Sequence, residues 1–445
     1  MDFAILVFMR WFFFNVLFFI AYLLMLPYFA FRMVRRGGYK ARFGERFGRF
    51  DAAVLERLKK PGRAFFWIHA VSVGEVYVAG QVMAALRERD PQIRFVLSST
   101  SSTGFREAEK EARAEDVAIY CPLDFPWAVR RALRVINPRC LILTESEIWP
   151  NLIRQCAAGG VPVFLVNARV SDRSAPRYRA LRFWFGPVLR QMTWMMAQSE
   201  LDKQRLVDAG ADAAKIEVLG SVKFDAVRRD AEKEKELAGF LRACGMTGEG
   251  RVLLLGGSTW PGEDEILLDI YKGLREKFAG LRLAIVPRHF EKANAVEANI
   301  RKRGFSCLRK SRKEAAQPVD VLLADTTGEL GAFYALADIA FVGRSLCMHG
   351  GQNMIEPCLC GVATVVGPWT ENFRPVMSDL LAHGAVVQVA DAAELGKEIE
   401  RLVASEATRH ELGQRSREAV ALRRGVVGAC AEGILKGIKK TGLQD

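Results

Sequence analysis

The chain has 445 residues, half of them apolar and 26% charged, which is enough for two or three packed domains and excludes a disordered or low-complexity protein. A net charge of +13 calls for anionic partners such as nucleic acid, acidic lipid headgroups or phosphorylated substrates, or else for a simply solvated basic surface. Nine cysteines are scattered without a Cys-x-x-Cys pair. That excludes a disulfide framework and a zinc site, and leaves reduced, mostly buried thiols of a cytosolic domain.

From Trp11 to Phe31 the chain is almost wholly apolar, with Asn15 the one clearly polar interruption. About 20 such residues suffice to cross a bilayer as a helix. Arg32, Arg35, Arg36, Lys40, Arg42 and Arg46 follow the run. Basic residues placed after it keep the following domain cytoplasmic, and no small-residue cleavage site is evident, so residues 1–32 read as a retained anchor helix. The same six residues are candidates for contact with phosphates or anionic headgroups, and topology determination accounts for them equally well.

Beyond residue 60, short apolar runs alternate with amphipathic stretches: AFFWIHA, IRFVLSST and CLILTE, each followed by a helical pattern, then PVFLVNA, WMMAQS and IEVLGS. The alternation restarts after a charged stretch with RVLLLGGS, LRLAIVP, VDVLLAD, IAFVG and VATVVG. Strands alternating with helices predict parallel sheets covered on both faces. The expected organisation is an N-terminal Rossmann-like domain over 33–225, a linker with one helix over 226–250, a second Rossmann-like domain over 251–425 and a tail over 426–445. Two doubly wound halves leave a cleft faced by the C-terminal strand ends.

The chemistry-bearing groups fall just after predicted strands, where ligands bind in such sheets. In HAVSVGEV, Ser72 and Glu75 have capping-box spacing, so Glu75 either satisfies a helix N-terminus or projects as a general base. LTESEIWPN places Glu145 and Glu147 at a strand end, as dipole partners or as cleft carboxylates. Lys223 in LGSVKFD is a surface lysine or a group that meets an anionic substrate. In the second half, Ser258 in LLGGSTWPGEDE is an N-cap or a phosphate contact, and the acidic run Glu263 to Glu265 reads as dipole compensation. Arg288 follows the strand LRLAIVP and is able to pair bidentately with a phosphate, while ADTTGEL contributes a turn at Thr327, Gly328 and Glu329. FVGRSLCMHGGQNMIEP then runs from a strand through Gly350 and Gly351 into a helix expected near Asn353, with Glu356 one turn in. This is the build of a nucleotide-binding half-domain, or of a plain strand-turn-helix. No segment alternates basic residues with an aromatic platform, so nucleic acid is not an expected partner.

Together the apolar N-terminus, HAVSVGEV, TESEIWPN, NARVSDRS, GSVKFD, GSTWPGEDE, VPRH, DTTGEL and GGQNMIEP resemble, in order from about residue 40 to about residue 425, the Kdo transferases of lipopolysaccharide biosynthesis. The resemblance implies the GT-B fold and inverting transfer of 3-deoxy-D-manno-octulosonic acid (Kdo) from CMP-Kdo to the lipid A precursor lipid IVA. It further implies an anionic inner-membrane surface as partner, with the catalytic domains cytoplasmic and no cofactor; because CMP leaves with a single phosphate that fixed cations and amides can neutralise, and no D-x-D motif is present, no metal is expected either. Carried over residue by residue, it makes Glu75 the general base, puts Glu145 and Lys223 at positions that stabilise the transition state, and assigns CMP contacts to Pro287, Arg288, Thr327 to Glu329, and Asn353, Met354, Ile355 and Glu356. Two positions depart from the family pattern: Trp260 and Gln352 stand where His is usual. A GT-B transferase or epimerase using another sugar nucleotide, and a membrane-tethered nucleotide-binding scaffold, are the competing readings.

Overall fold

The computed structural model describes residues 3–36, 42–60, 62, 64–225, 229–312 and 315–440, with side chains described for 9–28 and 31 within the first helix. Two compact units emerge, one of residues 1–222 with 425–445, the other of residues 223–424.

The first unit opens with α1 (Phe3–Arg36), α2 (Ala52–Lys59), β1 (Phe66–His69), α3 (Val73–Arg89), β2 (Phe95–Ser99) and α4 (Ser102–Glu111). It continues through β3 (Val117–Tyr120), α5 (Pro126–Ile136), β4 (Cys140–Thr144), α6 (Pro150–Ala158) and β5 (Val163–Ala168). Then come α7 (Ala175–Ala180), α8 (Arg182–Leu189), β6 (Trp194–Ala197), α9 (Glu200–Asp208) and β7 (Ile216–Val218). The seven strands form one parallel sheet in the order β3-β2-β1-β4-β5-β6-β7. Its strands are apolar on both faces because helices cover both, which yields two separate core clusters, one per face.

The second unit holds α10 (Ala231–Ala243), β8 (Val252–Thr259), α11 (Glu263–Arg275), β9 (Leu281–Pro287), α12 (Ala293–Lys302), β10 (Cys307–Arg309) and β11 (Val321–Leu323). It continues with α13 (Leu330–Leu336), β12 (Ile339–Val342), α14 (Ile355–Cys360), β13 (Ala363–Val366), α15 (Arg374–Ala382), β14 (Val387–Gln388), α16 (Ala392–Ala404) and α17 (Glu406–Leu422). Its sheet is again parallel, in the order β10-β11-β9-β8-β12-β13-β14. In both sheets the order reverses beside the first strand, between β1 and β4 and between β8 and β12. Those switch points open a crevice at the strand C-termini.

Several boundaries differ from the sequence reading. The stretch expected as a linker is part of the second unit: Leu237 and Leu241 of α10 are buried in the cluster that also holds Phe333 and Tyr334 of α13. The expected tail is a helix, α18 (Val426–Lys440), which packs Val426, Val427, Cys430, Ala431, Ile434 and Ile438 into the core of the first unit. Strands β3, β10 and β14 lie outside the expected set; β10 and β14 span three and two residues at the sheet edge, too short to carry a pattern.

Helix α1 contains an apolar stretch, Met9–Tyr28, long enough to cross a membrane. One face of it packs on its own unit: Trp11 is buried, Phe14 meets Trp184, and Phe18 and Tyr22 meet Phe125. Asn15 explains its place in the apolar run, because its Oδ1 accepts a hydrogen bond from Asn151 Nδ2 at 2.8 Å. The opposite face, including Phe12, Leu17 and Leu24, is exposed. Lys40 lies outside the described residues, as do the side chains of Arg32, Arg35 and Arg36. Arg42 and Arg46, candidates for headgroup contact or for topology determination alone, are spent on the fold instead: Arg42 pairs with buried Glu45 and donates to Ala118 O, and Arg46 is buried over the Tyr120 ring and donates to Thr100 O.

Candidate active site

At the first switch point, β1 delivers the chain into a turn whose Ser72 caps α3 by accepting from Glu75 N–H. The Glu75 carboxylate accepts from Val71 N–H at 2.8 Å and from Ser72 Oγ at 2.9 Å, with Thr144 Oγ1 at 3.4 Å. The N-cap half of the capping box is therefore formed, while the carboxylate reaches past the N-cap amide to Val71 N–H and the Ser72 hydroxyl. These bonds hold the half-buried carboxylate in one orientation at the strand end, so capping and a chemical role are compatible.

Across the switch point, β4 ends at Thr144 and the next residue, Glu145, has φ +53°, a left-handed conformation that costs a non-glycine residue about 1 kcal/mol or more. Asn167 at the end of β5 shares that conformation, and its Nδ2 lies 3.4 Å from Glu145 Oε1. Arg169 Nη1 is 3.7 Å from the other carboxylate oxygen. Two strained residues side by side at strand ends, tied to each other and to a cation, are held there by the surrounding hydrogen bonds: Glu145 N–H to Val166 O, and Val222 N–H to Asn167 Oδ1.

Glu147 completes the carboxylate group. Trp149 Nε1 donates to it at 2.8 Å, and burial followed by the charge of Glu75 raises its pKa to about 7. His69 Nε2 lies 3.9 Å from Glu147 and has no hydrogen-bond partner, but burial lowers its pKa to about 4. A neutral imidazole at that distance is not an ion pair at neutral pH. Ser98 holds its other nitrogen at 2.9 Å.

In the second unit, Ser258 near the end of β8 is buried with φ +53°, wedged where Gly343 lets β12 approach so closely that a Cβ there would sit 2.3 Å from Ser258 O. Glu263 is fully buried and does more than compensate a dipole. Its carboxylate accepts main-chain N–H groups of Trp260 and Arg344 at 2.8 Å, and of Ser345 and Leu346 at 3.0 Å, fastening the loop after β12 to the start of α11. Pro287 closes β9 and Arg288 is exposed beyond it, its N–H bonded to Thr259 O. Thr327 and Gly328 are exposed on the rim of an open hollow shared with Lys233 and Phe290. Glu329 is tied to Lys310 at 2.6 Å and to Thr326, and with Lys310 lines an adjoining hollow, so its carboxylate is charge-compensated.

The Gly350–Gly351 loop behaves differently from the expectation of a helix dipole. Helix α14 begins at Ile355, runs for six residues, and has its first N–H taken by Asn353 Oδ1. Asn353 Nδ2 holds Glu356 at 2.9 Å, and burial raises the Glu356 pKa against that hydrogen bond. Met354 and Ile355 have fully buried side chains, so anything they offer a ligand comes from the main chain. Lys223 Nζ donates to Asn372 O at 3.2 Å and lies 4.4 Å from the Phe373 ring centre. Asn372 N–H in turn bonds Gly350 O, which places Lys223 beside this loop.

Residues 41–226 match the family model for 3-deoxy-D-manno-octulosonic-acid transferase (kdotransferase), and residues 265–419 match that of glycosyl transferases group 1. The chain is 31% identical to the 3-deoxy-D-manno-octulosonic acid transferase of Haemophilus influenzae over 94% of its length and 96% of the relative's. It is 35% identical to the Bordetella pertussis enzyme of the same name, covering 88% and 91%. The chain belongs to the Kdo transferase family. Among solved structures, a glycosyltransferase from Rickettsia africae superposes with a TM-score of 0.56 at 12% identity, over 86% of this chain and all of that one, which supports the GT-B fold.

As a Kdo transferase, the protein transfers a sugar in lipopolysaccharide biosynthesis. Within its first unit the structure brings Glu75 and Glu145 to one switch point, and it brings Ser258, Arg288, Lys223 and the Gly350 loop to the strand ends of the second unit. Sequence reasoning left out Thr144, His69 and Asn167, whose part is played through contacts 22 to 75 residues away in the chain. It also left out Arg344, for which no local signal exists beyond its place in the loop. Among the described residues no group of His, Cys, Asp or Glu is arranged to hold a metal ion.

Proposed function

We propose that the protein transfers Kdo from CMP-Kdo to a phosphorylated, acylated disaccharide of the lipid IVA type, with inversion, at the cytoplasmic face of a bacterial inner membrane. The observation that carries this reading is the anchored carboxylate of Glu75 at the switch point of the first sheet, in a chain of this family. In the proposed reaction the acceptor hydroxyl oxygen attacks the anomeric carbon of Kdo, and a new C–O bond forms. The bond from that carbon to the phosphate oxygen breaks, its electron pair leaves with CMP, and the hydroxyl proton passes to Glu75. Lys223 and Arg288 neutralise the departing phosphate, and Glu145, paired with Arg169, joins Lys223 in stabilising the transition state. CMP departs with a single phosphate, so fixed cations suffice and the rate is expected to be unchanged by EDTA. The exposed apolar face of α1 suits an enzyme whose acceptor resides in a lipid leaflet.

The test is mass spectrometry of a tetraacylated, bis-phosphorylated disaccharide after incubation with the protein and CMP-Kdo. Mass gains of one or more Kdo units are expected, with Glu75→Gln slower by roughly 10²- to 10⁴-fold at unchanged fold and CMP binding. Undiminished transfer by the variant would return Glu75 to a capping role alone.

A further inference from the structure

We infer that Arg344 holds an anionic group of the sugar-nucleotide donor, the phosphate or the sugar-acid carboxylate. Arg344 follows β12 at the switch point of the second sheet, and its φ of +54° is one that L side chains rarely adopt. Such a residue persists only where the surroundings over-determine it, and here they do. The main chain is fixed by Glu263 at 2.8 Å, and Gly351 N–H bonds Arg344 O at 2.8 Å. A glycine would meet this backbone geometry without strain, so an arginine here points to its side chain.

That side chain is pre-positioned. The guanidinium carbon lies 4.7 Å from the Trp260 ring centre, and Nε donates to His349 O at 3.0 Å. Trp260 is backed on its edge by His289, with ring centres 4.9 Å apart. Among the described residues the guanidinium forms no ion pair; the Glu263 carboxylate is filled by main-chain amides and that of Glu371 by His349 and Gly350. At Gly350 a Cβ would sit 3.3 Å from Arg344 Nε, so the glycine keeps the space beside the guanidinium clear. Lys223 approaches the same loop through Asn372. A planar guanidinium stacked on one face, with its terminal nitrogens uncommitted, is suited to a phosphate or carboxylate taken bidentately. Of the two departures from the family pattern noted in the sequence, Trp260 is the platform of this guanidinium, and Gln352 follows Gly351, whose N–H bonds Arg344 O. Gln352 cannot carry a positive charge, whereas Arg344 always does.

The inference rests on CMP-Kdo being the donor, and the experiment separates the two. Steady-state kinetics in CMP-Kdo and calorimetric CMP titration are run on the full chain, on Arg344→Gly and on Arg344→Lys. Arg344→Gly is expected to raise the donor KM at least tenfold with a smaller change in kcat, and to leave the melting temperature unchanged or higher because glycine accepts the backbone. Arg344→Lys is expected to fall between the two. Weakened CMP binding in parallel assigns the phosphate; CMP binding retained with only the donor KM raised assigns the carboxylate. Wild-type values of both quantities in Arg344→Gly would overturn the inference while leaving the donor intact. A wild-type protein that neither binds CMP nor consumes CMP-Kdo would overturn the donor reading and this inference with it.

Discussion

Glu75 and Glu147 stand at one strand-end crevice in contrasting surroundings. Glu75 is fixed by an N–H and a hydroxyl, whereas Glu147 is driven to about 7 first by burial and then by the charge of Glu75, against the opposing donation from Trp149. Across neutrality Glu147 therefore passes from neutral to charged, and the negative charge it gains favours proton arrival at this end of the sheet. His69, near 4, stays neutral throughout, and the remaining facing charges are Glu145 and its partner Arg169. We predict that kcat rises a few-fold through about pH 7 in the wild type and that Glu147→Gln removes this limb; a profile unchanged in the variant would deny Glu147 any part. Stability carries an independent sign. A carboxyl raised above its ordinary 4.5 contributes stability that is present below that value and lost as pH climbs toward about 7. Wild type should therefore lose melting temperature relative to Glu147→Gln across that window. The carboxylates were legible in the sequence because each sits in a motif directly after an apolar run. Arg344 was not, since its meaning lies in a backbone angle and in a ring 84 residues away.

At the scale of elements, α1 shows how a helix is legible while its packing is not. A uniformly apolar run announces a helix but gives no stripe, so nothing in its periodicity says which face docks. The contacting residues Trp11, Phe14, Asn15, Phe18 and Tyr22 follow helical spacing, yet four of the five are as apolar as their exposed neighbours. Asn15 is the exception, and its partner Asn151 lies 136 residues on, at the start of α6, where Asp124 accepts the Asn151 and Leu152 N–H groups. Removing either side chain takes away the other's partner across the two helices, and removing both leaves neither amide facing a vacated partner, although Asn151 Nδ2 also keeps Asp124 O at 2.6 Å and Asn15 Nδ2 keeps Trp11 O at 2.8 Å. A double-mutant cycle with Asn15→Ala and Asn151→Ala, read by thermal unfolding in detergent, should give a coupling of about 1 kcal/mol. Additive losses would mean that α1 is held by its aromatic contacts alone. The strands missed in the sequence fail for a similar reason: β10 and β14 exist only because neighbouring strands complete them.

Over the whole molecule, both doubly wound sheets were legible from strand alternation, but the chain's return to its first unit was not. Helix α18 reads as amphipathic anywhere; its socket is composed of residues brought together only by the folded first sheet. Two glycines mark how close the fit is, since a Cβ at Gly437 would lie 2.5 Å from the Phe164 ring and one at Gly433 would lie 2.8 Å from Met196 Cε. Val426, Val427, Ile434 and Ile438 are buried there, and at about 1.5 kcal/mol each they contribute roughly 6 kcal/mol. That is comparable with the whole stability of an ordinary domain, about 5–15 kcal/mol. Ending the chain at Arg424 should therefore unfold or aggregate the first unit. The milder Gly437→Val should cost about 1–3 kcal/mol through overpacking. The residues proposed to meet the donor, from Lys223 to Glu356, all belong to the second unit. The truncated protein should thus lose Kdo transfer while its soluble fraction still titrates with CMP, and a truncation that retains full transfer would show that α18 is dispensable to the sheet it covers.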